Sequence, residues 1–104
     1  MIVEERIYTI EVGKLPEMLA LYEAEGMKVQ KEILGNMVGY FTTDIGPLNL
    51  LVHMWGYKDL NDRARRRTRL FKNKQWLGYV AKVRPWIQTQ ESRILMPAPF
   101  SPIK

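Results

Sequence analysis

Met37-Val38-Gly39-Tyr40-Phe41-Thr42-Thr43-Asp44-Ile45-Gly46-Pro47-Leu48-Asn49-Leu50-Leu51-Val52-His53-Met54-Trp55-Gly56-Tyr57 decides the fold of this 104-residue chain. Met37 to Ile45 and Leu48 to Tyr57 are both rich in β-branched and aromatic residues, so each reads as a strand. Asp44-Ile45-Gly46-Pro47 breaks the run between them, and the connection is short enough for an antiparallel hairpin. Gly39 and Gly46-Pro47 are read as backbone requirements, at a bulge and at the turn. Alternation along the second strand puts Leu50, Val52 and Met54 on one side and Leu51, His53, Trp55 and Tyr57 on the other. Neither side is polar.

Upstream, Val3 to Val12 has strand composition, and Gly13-Lys14-Leu15-Pro16 marks a turn into a helix. Leu15, Leu19, Tyr22, Gly26, Val29 and Ile33 recur at steps of three and four, which predicts one buried helical face ending at Gly35-Asn36. Downstream, Asp59 is placed to cap a second helix with Leu60, Ala64 and Phe71 on its inner face, interrupted or bent at Asn73. Trp76, Val80, Val83 and Ile87 continue the helical spacing. Pro85 ends the helix near Arg84, and Gln88 to Met96 alternates as a fourth strand. The Pro-rich tail 97–104 has no regular pattern.

The order is therefore βαββαβ: an α+β, ferredoxin-like antiparallel sheet with both helices on one face and right-handed crossovers, forming one domain over residues 1–104. Two helices can cover only one face of that sheet, whereas a solvated face should be polar. The aromatic face carrying Tyr8, Trp55 and Tyr57 is assigned to the interior of a barrel that a second copy completes, so a homodimer is expected. The competing reading has the tail shielding those aromatics.

Hydrophobic residues at 46% and charged residues at 26% exclude a disordered or collagen-like chain. With no cysteine, neither a disulfide framework nor a thiolate site is available. No run is long and apolar enough to span a membrane, and Met1-Ile2-Val3-Glu4-Glu5-Arg6 lacks a secretory pattern; a cytoplasmic protein with no membrane partner is expected. The net charge of +5 is concentrated between Arg63 and Lys74. A helix spreads those charges around its circumference, with Arg63 and Arg67 beside the apolar stripe and Arg65, Arg66 and Arg69 outermost. That pattern suits a solvated face, so nucleic acid is not an expected partner.

His53, the single histidine, shares a strand side with Trp55. It reads either as a proton donor or acceptor for a small aromatic ligand or as a hydrogen-bonded structural histidine. Arg6 and Tyr8 share a side of the first strand, and Glu91 and Arg93 a side of the fourth. These four, with Tyr40 and Trp55, are candidate ligand-binding residues around one cavity; alternatively Arg6, Glu91 and Arg93 pair with one another across strands. One histidine and no cysteine give no metal-ligand set, and no Gly-rich phosphate loop, nucleophile motif or cofactor motif is present.

Glu5 to Ile10, Val38 to Asn49, Val52 to Tyr57, Asp62-Arg63 and Glu91 to Ser101 together resemble the NIPSNAP family, the part from Gly39 to Tyr57 most specifically. The resemblance implies a dimeric α/β barrel over almost the whole chain and supplies no defined activity. Animal members of that family resemble mitochondrial proteins implicated in vesicle transport or mitophagy, but they carry longer N-terminal regions, and those roles are not carried over. The same barrel superfamily includes cofactor-independent monooxygenases and haem-degrading enzymes, and fold alone does not transfer function. Two readings follow: a homodimer binding a small apolar or aromatic ligand, with oxygenase-like chemistry as its enzymatic version, or a non-catalytic interaction or assembly module whose tail docks on a neighbour.

Overall fold

The computed structural model describes all 104 residues. Strand β1 (Ile2–Ile10) leads into a helical rod of α1 (Leu15–Leu21), a π-helical turn (Tyr22–Gly26) and α2 (Met27–Leu34). Strands β2 (Asn36–Thr42) and β3 (Leu50–Tyr57) follow, then α3 (Leu60–Leu70), α4 (Lys74–Val83), a short 3-10 turn (Arg84–Trp86) and β4 (Ile87–Leu95). The sheet is antiparallel throughout, with strand order β2-β3-β1-β4 and the helices on one face. That is the ferredoxin-like βαββαβ arrangement expected from the hydrophobic spacing. No helix is long and apolar enough to cross a membrane.

Local chemistry explains the breaks. Gly35 takes φ 91° at the end of α2, a conformation that glycine adopts without a Cβ clash. Asp59 accepts a hydrogen bond at Oδ1 from the Asp62 amide, 2.8 Å away, and Asn73 accepts at Oδ1 from the Trp76 amide at 3.0 Å. Asn73 thus caps α4 as a new helix, which is how the expected interruption is realised. A register shift between Met37 and Gly39 interrupts the β2–β3 ladder, and the Phe41 ring lies over Gly39 so closely that a Cβ there would sit 2.4 Å from it.

The helical stripes differ from the simple spacing. In the first rod Met18, Tyr22, Gly26, Val29, Gln30 and Leu34 are buried, while Leu15, Leu19 and Ile33 are only half-buried. The π turn inserts an extra residue and rotates the stripe, something a constant period of 3.6 does not register. On α3, Leu60 and Phe71 are exposed and Ala64 faces solvent, whereas Leu70 is fully buried and Arg63, Arg66 and Arg67 are half-buried. The inner face of α3 is therefore built largely of arginine, because a buried carboxylate waits beneath it.

The assignment of the aromatic sheet face to a partner-covered interior is corrected by the helix positions. Leu51, His53, Trp55 and Tyr57 all lie under the chain's own helices, where Trp55 is fully buried among Leu34, Leu51 and Leu70. Burying each such side chain contributes about 1.5–3 kcal/mol. The uncovered face carries Ile7, Leu50, Val52, Met54 and Phe41, with Phe41 55% exposed. Since both faces of β3 are apolar, alternation alone could not say which one the helices choose.

Candidate functional site

Glu4, buried in β1, anchors the polar side of the interlayer space. Arg63 reaches down from α3, donating from Nε to Oε1 at 3.0 Å and from Nη2 to Oε2 at 2.7 Å. Arg6 Nη1 donates to Oε2 at 3.0 Å, and the Ser92 hydroxyl donates to the same oxygen. Burial alone would raise the Glu4 pKa. The hydrogen bonds from Arg63 and Ser92 and the nearby guanidinium charges outweigh it and hold the carboxyl at about 2.

Beside this cluster lies a cavity of about 470 Å³ between the sheet and the helices. Its aromatic wall is continuous: Tyr22 stacks on Tyr40 with centroids 4.6 Å apart, Tyr40 stacks on His53 at 5.0 Å, and Tyr8 meets His53 edge-on at 5.0 Å. Trp76 and Tyr79 of α4 close the far side. The Tyr22 hydroxyl donates to Gln30 Oε1 at 2.6 Å across the π turn. Gly26 lets Tyr79 in, since a Cβ at that position would stand 3.0 Å from Tyr79 Cδ2. Exposed Gln88 and Gln90 of β4 line the open side.

His53 has a defined hydrogen-bonding state. Trp55 Nε1, which can only donate, is 2.8 Å from His53 Nδ1, so Nδ1 must be the acceptor and the proton sits on Nε2. Desolvation by burial, with help from the Arg6 charge, lowers the His53 pKa from 6.5 to about 3. The ring is a neutral Nε2–H donor, and it has no acceptor within the protein. Trp76 Nε1, also in the cavity wall, is a second buried donor without an acceptor. Burial raises the pKa of Tyr22, Tyr40 and Tyr79, so these phenols stay protonated as well.

The sequence-derived candidates divide by position. Arg6, Tyr8, Tyr40 and His53 come together in the cavity wall, and Arg6 Nε donates to the Tyr8 hydroxyl oxygen at 2.9 Å. Trp55 stands behind His53 and orients it without lining the cavity. Glu91 and Arg93 are displaced from the expected cluster. Arg6 is paired with Ser92 in the β1–β4 register, so Gln90, Ser92 and Ile94 face the helices, while Glu91 and Arg93 point to the opposite side. There Arg93 forms an ion pair with Glu5 at 3.5 Å, not with Arg6 or Glu91. Arg63 and Arg67, which helical spacing sets at the flanks of a stripe, enter the interlayer space. An acidic residue at position 4 sharing a strand side with buried Ile2 is the signal that a cation must come from the covering helix. Among His, Asp and Glu side chains no group of three or more is arranged to hold a metal.

A ferredoxin-like sheet, helices on one face and an aromatic cavity between the layers define the structural class. An antibiotic biosynthesis monooxygenase shares that fold, with 14% identity and a TM-score of 0.68 over 95% of this chain and 100% of that one. The chain belongs to the NIPSNAP family, whose profile matches residues 3–102. It is 37% identical to Protein NipSnap homolog of Dictyostelium discoideum over 94 residues, 90% of this chain and 41% of that protein. Against Protein NipSnap homolog 2 of Homo sapiens it is 34% identical over 104 residues, covering 99% of this chain and 35% of that protein. The chain thus spans well under half the length of these relatives. A NIPSNAP family protein from Agrobacterium tumefaciens superposes with a TM-score of 0.97 at 50% identity, covering 99% of this chain and 98% of that one.

Proposed function

We propose that this chain is a homodimeric small-ligand-binding protein whose ligand has an apolar or aromatic body and occupies the cavity between sheet and helices. The observation that carries the proposal is His53: a buried, neutral donor, 3% exposed, with its Nε2–H unsatisfied at the wall of a 470 Å³ space. A structural histidine would have both ring nitrogens paired. Cavities of this size, lined by aromatic rings with a few convergent polar groups, are typical small-molecule sites. A protein serving only as an assembly module has no use for such a space, and a filled interior would suit that role better.

His53 acts here by donating a hydrogen bond. Its other nitrogen is committed to Trp55, so it stabilises an acceptor or a developing negative charge and does not abstract a proton. In an enzymatic version of this reading, that donor is the group through which the protein would steady an oxyanion. Dimerisation is supported by the uncovered apolar face with Ile7, Val52, Met54 and Phe41, and by the exposed Phe100 of the tail. Native mass spectrometry of the purified protein tests both halves. Two copies with a co-purified small molecule, or with one taken up from a library of aromatic compounds, are expected. Monomers that take up nothing would refute the proposal.

A further inference from the structure

The cavity's polar equipment is one-sided. Arg6, Arg67 and Arg84 line it, and no aspartate or glutamate does. Glu4, just behind the wall, is a single negative charge shared between Arg6 and Arg63. Arg67 is left over: it enters no ion pair, its guanidinium lies 5.4 Å from the Phe71 ring centroid, and it is half-buried. Counting Glu4, Arg6, Arg63 and Arg67, the group holds two uncompensated positive charges in a partly desolvated space. Desolvation, then the charge of Arg6, pulls the Arg67 pKa down, the direction expected where an anion is wanted and the protein supplies none. The two unsatisfied wall atoms, His53 Nε2–H and Trp76 Nε1–H, are both donors.

We infer that the ligand is an organic acid: an aromatic or apolar body against Tyr22, Tyr40 and Tyr79, and an anionic oxygen group that accepts hydrogen bonds from the cavity's donors and answers the charge of Arg67. The inference rests on the ligand-binding reading above and narrows it to one charge class. A neutral ligand of the same shape leaves Arg67 without a counter-charge, and a cation is repelled by three guanidinium groups. Guanidinium suits this task because its planar fork matches a carboxylate.

The test uses the 104-residue chain with naphthoate and its neutral counterpart naphthamide, monitored through the ring signals of His53, its only histidine. Naphthoate is expected to shift those signals and to bind at least about tenfold tighter than naphthamide, the usual range for a charge-assisted contact. Arg67→Lys should keep the preference and Arg67→Gln should remove it without weakening naphthamide. If Arg67→Gln does not fold, Arg67→Met serves instead, since it keeps the apolar stem without the charge and should likewise abolish the preference for naphthoate. Naphthamide binding as tightly as naphthoate overturns the acid inference and leaves the cavity reading standing. If neither compound moves the His53 signals, the cavity reading falls with it.

Discussion

Acidification offers the sharpest check on the state of His53. The folded protein takes up a proton on this ring only near pH 3, whereas the unfolded chain does so near 6.5. Between those values the unfolded state binds more protons, so stability must rise with pH there. The His53 contribution is complete above 6.5 and is lost as the pH falls toward 3. Each unit of separation corresponds to about 1.4 kcal/mol. Glu4 works in the same direction lower down, its folded pKa being about 2 against 4.5 unfolded, so its contribution is complete above 4.5 and lost as the pH falls through 2. Between 6.5 and 4.5 the loss belongs to His53 alone and amounts to roughly 2 kcal/mol. Urea denaturation across that window measures the slope, and imidazole nitrogen spectra show whether the proton stays on Nε2. A flat stability profile there, or a ring that becomes charged near its ordinary pKa while the protein is folded, would falsify the buried neutral donor.

Other outcomes follow from single contacts. Trp55→Phe removes the donor to Nδ1 and leaves that nitrogen buried without a partner, so a stability loss of about 1–3 kcal/mol is expected by chemical denaturation. Glu4→Gln strands Arg6 and Arg63 beside a neutral amide and should cost about 3 kcal/mol by chemical denaturation. Gly26→Ala and Gly78→Ala should differ in sign. The first presses a methyl to within 3.0 Å of Tyr79 and lowers the melting temperature, while the second meets nothing within 4 Å and gains about 1 kcal/mol of helix propensity. Val52→Arg on the uncovered face should yield a folded monomer by light scattering if that face joins two copies, and an unchanged oligomer would place the interface elsewhere.

The fold was legible because its signals are local. Gly35 for the helix end, Asp59 at its cap, Asn73 at the break and Pro85 after the last helix each act within a turn of their own position. What could not be read depends on three dimensions. Both sides of β3 are apolar, so the alternation named two faces without saying that Trp55 and His53 lie beneath the helices. The parity of β4 follows from pairing Arg6 with Ser92, a relation between residues 86 positions apart, and it sent Glu91 and Arg93 to the far side. Arg67 looked like part of a solvated run, since a helix so rich in arginine hides its inner face among identical residues. Four of the seven candidate side chains still converge on the cavity: Arg6, Tyr8, Tyr40 and His53. Each shares a strand side with a neighbour that is itself buried or aromatic.

Strand β4 is held by β1 on one edge only, so its alignment rests on a single ladder. A slip of one residue along that ladder exchanges its two sides. Gln88, Gln90 and Ser92 would turn outward, and Glu91 would swing under the helices. The entrance would then acquire a fixed negative charge, Glu4 would lose its hydroxyl donor, and an incoming acid would meet repulsion at the threshold. The alignment of this marginal strand therefore bears directly on the charge at the entrance, and a one-residue insertion or deletion between Ile87 and Ser92 should weaken the preference for naphthoate over naphthamide while leaving the four-stranded sheet intact.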